Sequence, residues 1–202
     1  MSAIERLYTH FEHPRGPIGS LAGMMMAHRG HNIRRGRWAV ERLAPAAGAR
    51  VLELGYGPGV TLGEVCRRIP DGEVIGVDTS PVMMRQATRR NRSFIRSGRL
   101  EVHLGDATRL DPDVRDFDLV YGINVWQYWT DPVEVVEDLT RRLRPDGRLA
   151  LVYMRPPGCR LTHGQAATHL VDQFTAAALT RITTEWMPHR PTAVLVSGVA
   201  VR

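Results

Sequence analysis

Residues 51–59 read Val-Leu-Glu-Leu-Gly-Tyr-Gly-Pro-Gly, an apolar run that ends in three alternate glycines, Gly55, Gly57 and Gly59. Glycine has no side chain to obstruct a ligand and tolerates positive φ, so such a turn lets backbone approach a bound molecule closely. The turn also delivers the N-terminus of a following helix, whose free N–H groups and dipole favour an anionic group. Glu53 stands two positions before the first glycine. Asp78 follows about 20 residues after the loop, where an acid bonds ribose hydroxyls in dinucleotide-binding folds. The chemistry encoded is the grip of a ligand that carries a nucleoside. A dinucleotide is one candidate, but its fingerprint is G-x-G-x-x-G, and Val60 stands where the third glycine would be.

These residues need a frame. Short β-branched runs alternate with longer helical patterns, which argues for a mostly parallel sheet with helices on both faces. Ile33, Gly36, Val40 and Leu43 share one face of a helix that Pro45 and Gly48 end. Residues 51–54 then read as a buried strand, and Val60, Val65, Cys66 and Ile69 mark the next helix. Further strands are expected over residues 73–78, 100–105, 117–121 and 148–154. Ser80-Pro81 is a strong helix start, with Ser as cap and Pro at the first helical position, and Gly98 is expected to stop that helix. Asp131-Pro132 has the same layout. Glu137 with Arg141 and Asp138 with Arg142 offer acid-before-base pairs four apart. A helix is expected over about residues 165–179, followed by strands over 181–187 and 192–201. The stretch between them is too short for a crossover helix, so they should form an antiparallel hairpin.

The chain of 202 residues suits one well-packed domain. No stretch approaches the roughly 18 apolar residues of a membrane span, and the first residues lack the layout of a signal peptide. Cys66 and Cys159 are the two cysteines, far apart and without metal-ligand spacing. A cytoplasmic protein with reduced thiols, no membrane partner and no bound metal is expected. The net charge is +6, and every basic side chain is arginine. The arginines fall mostly on helix segments, the pattern of solvated faces, so nucleic acid is not the expected partner.

With these motifs in order, the sequence resembles the class I S-adenosylmethionine (SAM)-dependent methyltransferases, and in particular their small bacterial members that act on small molecules. The resemblance covers roughly residues 32–155 well and the terminal hairpin in outline. It implies a Rossmann-like α/β fold, with a seven-stranded sheet of order 3-2-1-4-5-7-6 whose last strand is antiparallel. It implies SAM as cofactor and S-adenosylhomocysteine as product. Gly55, Gly57 and Gly59, with Glu53 before them, are carried over to the methionine part of SAM. Asp78, with Thr79 beside it, is carried over to the ribose. Asp106, with Ala107, is carried over to the adenine amino group, and Asn124 to the methionine end. Residues 143–149 resemble the family's "LrPGG" turn, with Asp146 replacing the first glycine. The expected organisation is an N-terminal helical cover segment, 1–48, and a SAM-binding catalytic domain, 49–202.

Methyl transfer from a sulfonium needs positioning, water exclusion and, for some acceptors, deprotonation, so no universal catalytic residue is expected. The chain has no N/D-P-P-Y/F/W motif after the fourth strand, no lysine for a K-D-K-E tetrad, and neither cysteine in position for cytosine C5 chemistry. A small, apolar or aromatic metabolite is therefore the expected methyl acceptor. A nucleic-acid or protein methyltransferase, a non-catalytic SAM-binding protein and an NAD-dependent oxidoreductase are the alternatives; a homodimer is compatible with all of them. Candidate acceptor contacts are Tyr8, His10, Met24 and His28 in the N-terminal segment. Trp126, Tyr128 and Trp129 follow the fourth strand, and Tyr153 and His163 follow the fifth. Core packing and surface histidines are the plain alternative for each. The sheet does not require the segment before Asn32, yet that segment carries Met24, Met25 and Met26, an adaptable apolar surface. Read as a cover over the acceptor pocket, it predicts that a protein beginning near Gly30 keeps SAM affinity but loses turnover or acceptor binding. Wild-type turnover from the soluble truncated protein would end that reading.

Overall fold

The computed structural model describes residues 30–155, 159–188 and 192–201, with side chains from residue 33 onward. Helix α1 (Gly30–Leu43) leads into β1 (Arg50–Leu54), α2 (Val60–Arg68), β2 (Glu73–Asp78), α3 (Pro81–Arg90), α4 (Arg92–Arg96) and β3 (Leu100–Leu104). The second half runs β4 (Phe117–Ile123), α5 (Pro132–Arg141), β5 (Leu143–Tyr153), α6 (His163–Ala176), β6 (Thr180–Trp186) and β7 (Val194–Val199). Seven strands form one sheet in the order β3-β2-β1-β4-β5-β7-β6. Pairing is parallel except along β7, which runs antiparallel to both β5 and β6. The chain starts in the middle, builds outward through β2 and β3, and returns to the other side of β1 with β4. Ligands gather outside the carboxyl ends of strands at such a reversal.

Strand alternation sends neighbouring residues to opposite faces, and each face has its own core. Val51, Leu119, Tyr121, Ala150 and Val152 pack with α1, α2 and α3. Leu52, Leu54, Val120, Leu149 and Leu151 pack with α5 and α6.

The local signals have physical counterparts. The Ser80 side chain accepts from the Met83 N–H, Asp131 from the Glu134 N–H, and Pro follows each cap. Asp146 sits at φ 63°, a left-handed conformation that glycine prefers and Asp tolerates, so it serves where the resembling turn has glycine. Two expectations are corrected. The helix expected to run on to Gly98 divides at Asn91, whose side-chain amide donates to the carbonyls of Gly59 and Ala87. Arg141 does not pair with Glu137 among the described residues; it approaches Asp138 at 3.6 Å, beside the Arg142–Asp138 pair at 2.7 Å.

Arg142 is 6% exposed and ties the connection before β4 to the end of α5. It donates from Nη1 to the carbonyls of Asp111 (2.6 Å) and Val114 (2.9 Å) and from Nη2 to that of Leu110 (2.9 Å). Arg142→Ala leaves these carbonyls unsatisfied, so a loss of about 3 kcal/mol is expected, seen as a Tm lower by about 6–12 °C. A Tm within a degree or two of wild type would show that water replaces the guanidinium.

Candidate active site

The loop after β1 turns through three left-handed glycines, Gly55 (φ 65°), Gly57 (φ 52°) and Gly59 (φ 73°). Two of them have different reasons to be glycine. A Cβ on Gly55 would lie 2.3 Å from Cγ1 of Val125, in the loop after β4, so only glycine lets the two loops meet. A Cβ on Gly57 would meet nothing within 4 Å. Among the described residues no neighbour accounts for that glycine, which leaves its backbone conformation and room for a ligand. Helix α2 then begins without a side-chain cap, so its first N–H groups remain available to an anionic group.

Asp78 closes this cradle from β2. Its Oδ2 accepts from the Gly57 N–H and its Oδ1 from the Ser80 N–H, both at 2.8 Å. Burial raises its pKa, and these two hydrogen bonds oppose the rise. Each carboxylate oxygen keeps a second lone pair for a ligand hydroxyl. Thr79 beside it is exposed. Past β3, Asp106 is exposed and uses one oxygen, Oδ1, to accept from the backbone N–H and hydroxyl of Thr108 at 2.9 Å, with Ala107 half-buried next to it. Leu104, 51% exposed, presents an apolar surface between Asp78 and Asp106.

Two of the expected cofactor residues have protein partners for their side chains. Glu53 is 1% exposed and turned into the core under the loop. The Tyr121 hydroxyl donates to its Oε2 at 2.5 Å and the Thr61 hydroxyl to its Oε1. Asn124, at φ 56°, spends its amide on β5: its Oδ1 accepts from the Met154 N–H at 2.6 Å and its Nδ2 donates to the Met154 carbonyl at 2.8 Å. It fixes the end of β4 to the residue that follows β5.

Residues 51–147 match the family model for a methyltransferase domain. That match takes in just under half of the chain, and the seven-stranded fold is the one that solved methyltransferases have. It is similar to the trans-aconitate 2-methyltransferase of Methylobacterium radiotolerans, 38% identical over 57% of this chain and 45% of that one. It is similar to an uncharacterized methyltransferase of Bacillus subtilis, 26% identical over 67% of this chain and 71% of that one. A SAM-dependent methyltransferase from Aquifex aeolicus shares the fold across 100% of both chains, with a TM-score of 0.65 at 13% identity. Among the curated relatives that head the comparison, the chain spans from 32% to 71% of their own length.

On the acceptor side of the methyltransferase fold, several aromatic candidates turn out to be core. Trp126 is 6% exposed and meets Tyr153 edge-on, with ring centroids 6.1 Å apart. Tyr153 is fully buried and donates its hydroxyl to the Leu161 carbonyl at 2.9 Å. Trp129 packs half-buried against the same core, while Tyr128 is half-exposed. His163 is half-buried at the start of α6, its Nε2 3.5 Å from the Arg155 backbone nitrogen and 3.4 Å from the Thr192 hydroxyl. Tyr8, His10, Met24 and His28 lie outside the described residues. A cavity of about 640 Å³ beside Ala44, Asp118 and Arg148 opens at the opposite, amino end of the strands, away from all of these groups. Among the described residues no cluster of His, Cys, Asp or Glu has the arrangement to hold a metal ion.

Sequence reasoning passed over Thr61, Asn91, Tyr121 and Val125, which hold the loop. One signal was available: a glutamate inside an apolar strand needs a buried partner. Tyr121 stands directly opposite Glu53 in the β1–β4 register. Burial is the main cause that raises Glu53 from its ordinary 4.5 to about 8, against the opposing bonds from Thr61 and Tyr121. A carboxyl whose pKa is raised by folding stabilises the native state fully below 4.5 and loses that contribution as pH rises to about 8. Glu53→Gln has no proton to lose. Its stability relative to wild type, read from urea midpoints, should therefore rise by several kcal/mol across that window. Parallel pH profiles for the two proteins would show that Glu53 is charged throughout.

Proposed function

We propose that this chain transfers the methyl group of SAM to a small-molecule acceptor. The observation that carries the reading is the cradle itself: an open left-handed Gly57 held by Asp78, at the head of an uncapped helix and at the point where the strand order reverses. SAM fits these residues. Its carboxylate suits the free N–H groups of α2, its ribose hydroxyls the remaining lone pairs of Asp78, and its adenine amino group the unused Oδ2 of Asp106. Thr79 and Ala107 flank those positions, and Leu104 offers the ring an apolar surface. The cofactor, when bound, supplies a methyl group already activated by the sulfonium.

The protein's share is then to hold, align and exclude water. Val125 seated against Gly55, and Asn124 clamped to Met154, fix the loop past which acceptor and methyl group must meet. A small-molecule acceptor is supported by the similarity to a trans-aconitate 2-methyltransferase. The narrower expectation of an apolar or aromatic acceptor loses its main support, because Trp126 and Tyr153 are consumed by packing. No helix among the described residues is long and apolar enough to cross a membrane.

Titration calorimetry with SAM and with S-adenosylhomocysteine tests the reading, with NADH as control. Both should bind and NADH should not. Asp78→Ala removes two backbone anchors and the ribose contact, each charge-assisted, so affinity should fall about tenfold or more. An unchanged affinity would remove Asp78 from the site, and NADH binding in place of SAM would replace the reading with a dehydrogenase.

A further inference from the structure

We propose that the acceptor carries an oxyanion, a carboxylate or a phosphate, which seats against Arg35 with Arg155 and His163 beside it. This rests on the methyl-transfer reading and names the substrate class of that same site.

A line of contacts runs from the glycine loop to these cations. Gly55 abuts Val125, Asn124 binds Met154 on both its N–H and its carbonyl, and Arg155 follows directly. The Arg155 backbone lies 3.5 Å from His163, and its Nε donates to the Cys159 carbonyl at 2.9 Å. Arg35 comes from α1, one residue before Gly36, which sits against Thr61 in the first turn of α2; a Cβ there would lie 3.1 Å from Thr61 Cγ2. The cluster thus flanks the carboxyl ends of β4 and β5, on the far side of the crevice from Asp78.

Arg35 is the informative member. Among the described residues its buried Nε has no hydrogen-bond partner; the same holds for Arg50 and Arg99, but their other nitrogens reach oxygen acceptors. Other arginines of α1 have acids to meet: Arg37 pairs with Glu64 at 3.2 Å and Arg42 with Glu185 at 3.4 Å. Among the described residues neither Arg35 nor Arg155 has such a pair. A buried guanidinium N–H without an acceptor is costly, and an incoming oxyanion supplies one in the planar geometry that suits it. Burial lowers the Arg35 pKa from its ordinary value, as expected where the counter-charge is missing. Burial also lowers His163; a hydrogen bond at Thr192 opposes this, and the charges of Arg35 and Arg155 add to the lowering, which places both cations near the ring.

The test uses the full chain saturated with S-adenosylhomocysteine and three probes of matched size: benzoate, phenyl phosphate and benzamide. Cofactor binding is titrated first on its own, so a failure of the methyl-transfer reading shows there. In the loaded protein at least one anion should bind about tenfold more tightly than benzamide, and the preferred anion separates carboxylate from phosphate recognition. Arg35→Gln should abolish that preference while S-adenosylhomocysteine affinity holds. Arg155→Gln, at an exposed position, should weaken it without risk to the fold. Cofactor binding without any anion preference, or an anion preference that survives both substitutions, overturns the assignment.

Discussion

The carboxyl of Glu53 is the hinge on which the site depends. It lies in β1, receives a hydroxyl from Tyr121 in β4 and another from Thr61 in α2, and sits directly beneath the turn that these three elements share. Apolar packing alone would hold the strands side by side but would leave the loop free to shift along the helix axis. Directional bonds from two sides remove that freedom. Their cost is a buried acid, visible in a pKa pushed to about 8. The hydroxyls satisfy both of its oxygens, which is the condition under which a buried polar group specifies rather than weakens a core.

Above this anchor a second set of bonds fixes the glycine turn from outside. Asn91 donates to the Gly59 carbonyl, Arg90 to the Pro58 carbonyl at 2.9 Å, and Asp78 accepts from Gly57. The break between α3 and α4 acquires a purpose here, because a continuous helix would carry Asn91 through without turning its amide to both Gly59 and Ala87. Sheet order, loop and helix caps therefore converge on one small region of backbone, presented at the reversal between β1 and β4.

What could be read in the sequence follows from range. Ser80-Pro81, Asp131-Pro132 and the short link before β7 act over a few residues, and the caps and the antiparallel hairpin follow from them. The seven-stranded order came from resemblance and agrees with the pairing. Apart from Ala87, one helical turn before Asn91, the partners of Glu53, Asn91 and Asn124 lie from 8 to 68 residues away along the chain, and no local pattern announces them. Asn124 illustrates the difficulty: its place after β4 was legible, but whether its amide faced ligand or strand depended on β5. Trp126 and Tyr153 were ambiguous for the same reason, since an aromatic residue near a strand end serves a pocket or a core equally well until the opposite wall is known.

The arginine-only cation content has a structural explanation that bears on function. Several arginines donate to main-chain carbonyls that helices and loops leave unsatisfied. Arg99 does so at the end of α2, reaching the Ile69 carbonyl at 2.8 Å; Arg142 does so before β4, Arg90 at the glycine turn and Arg148 at the end of α1. A planar group with five donors suits such positions, and a lysine in its place would bind one carbonyl at a time. Much of the excess positive charge is thus committed to holding the chain, which weakens the case for a polyanion-binding surface. Arg35 departs from this pattern. Its Nε is buried without a partner, as is that of Arg99, but among the described residues no carbonyl or acid receives any other nitrogen of its guanidinium. In a protein that uses its guanidinium groups to satisfy oxygen acceptors, that arginine lacks one among the described residues.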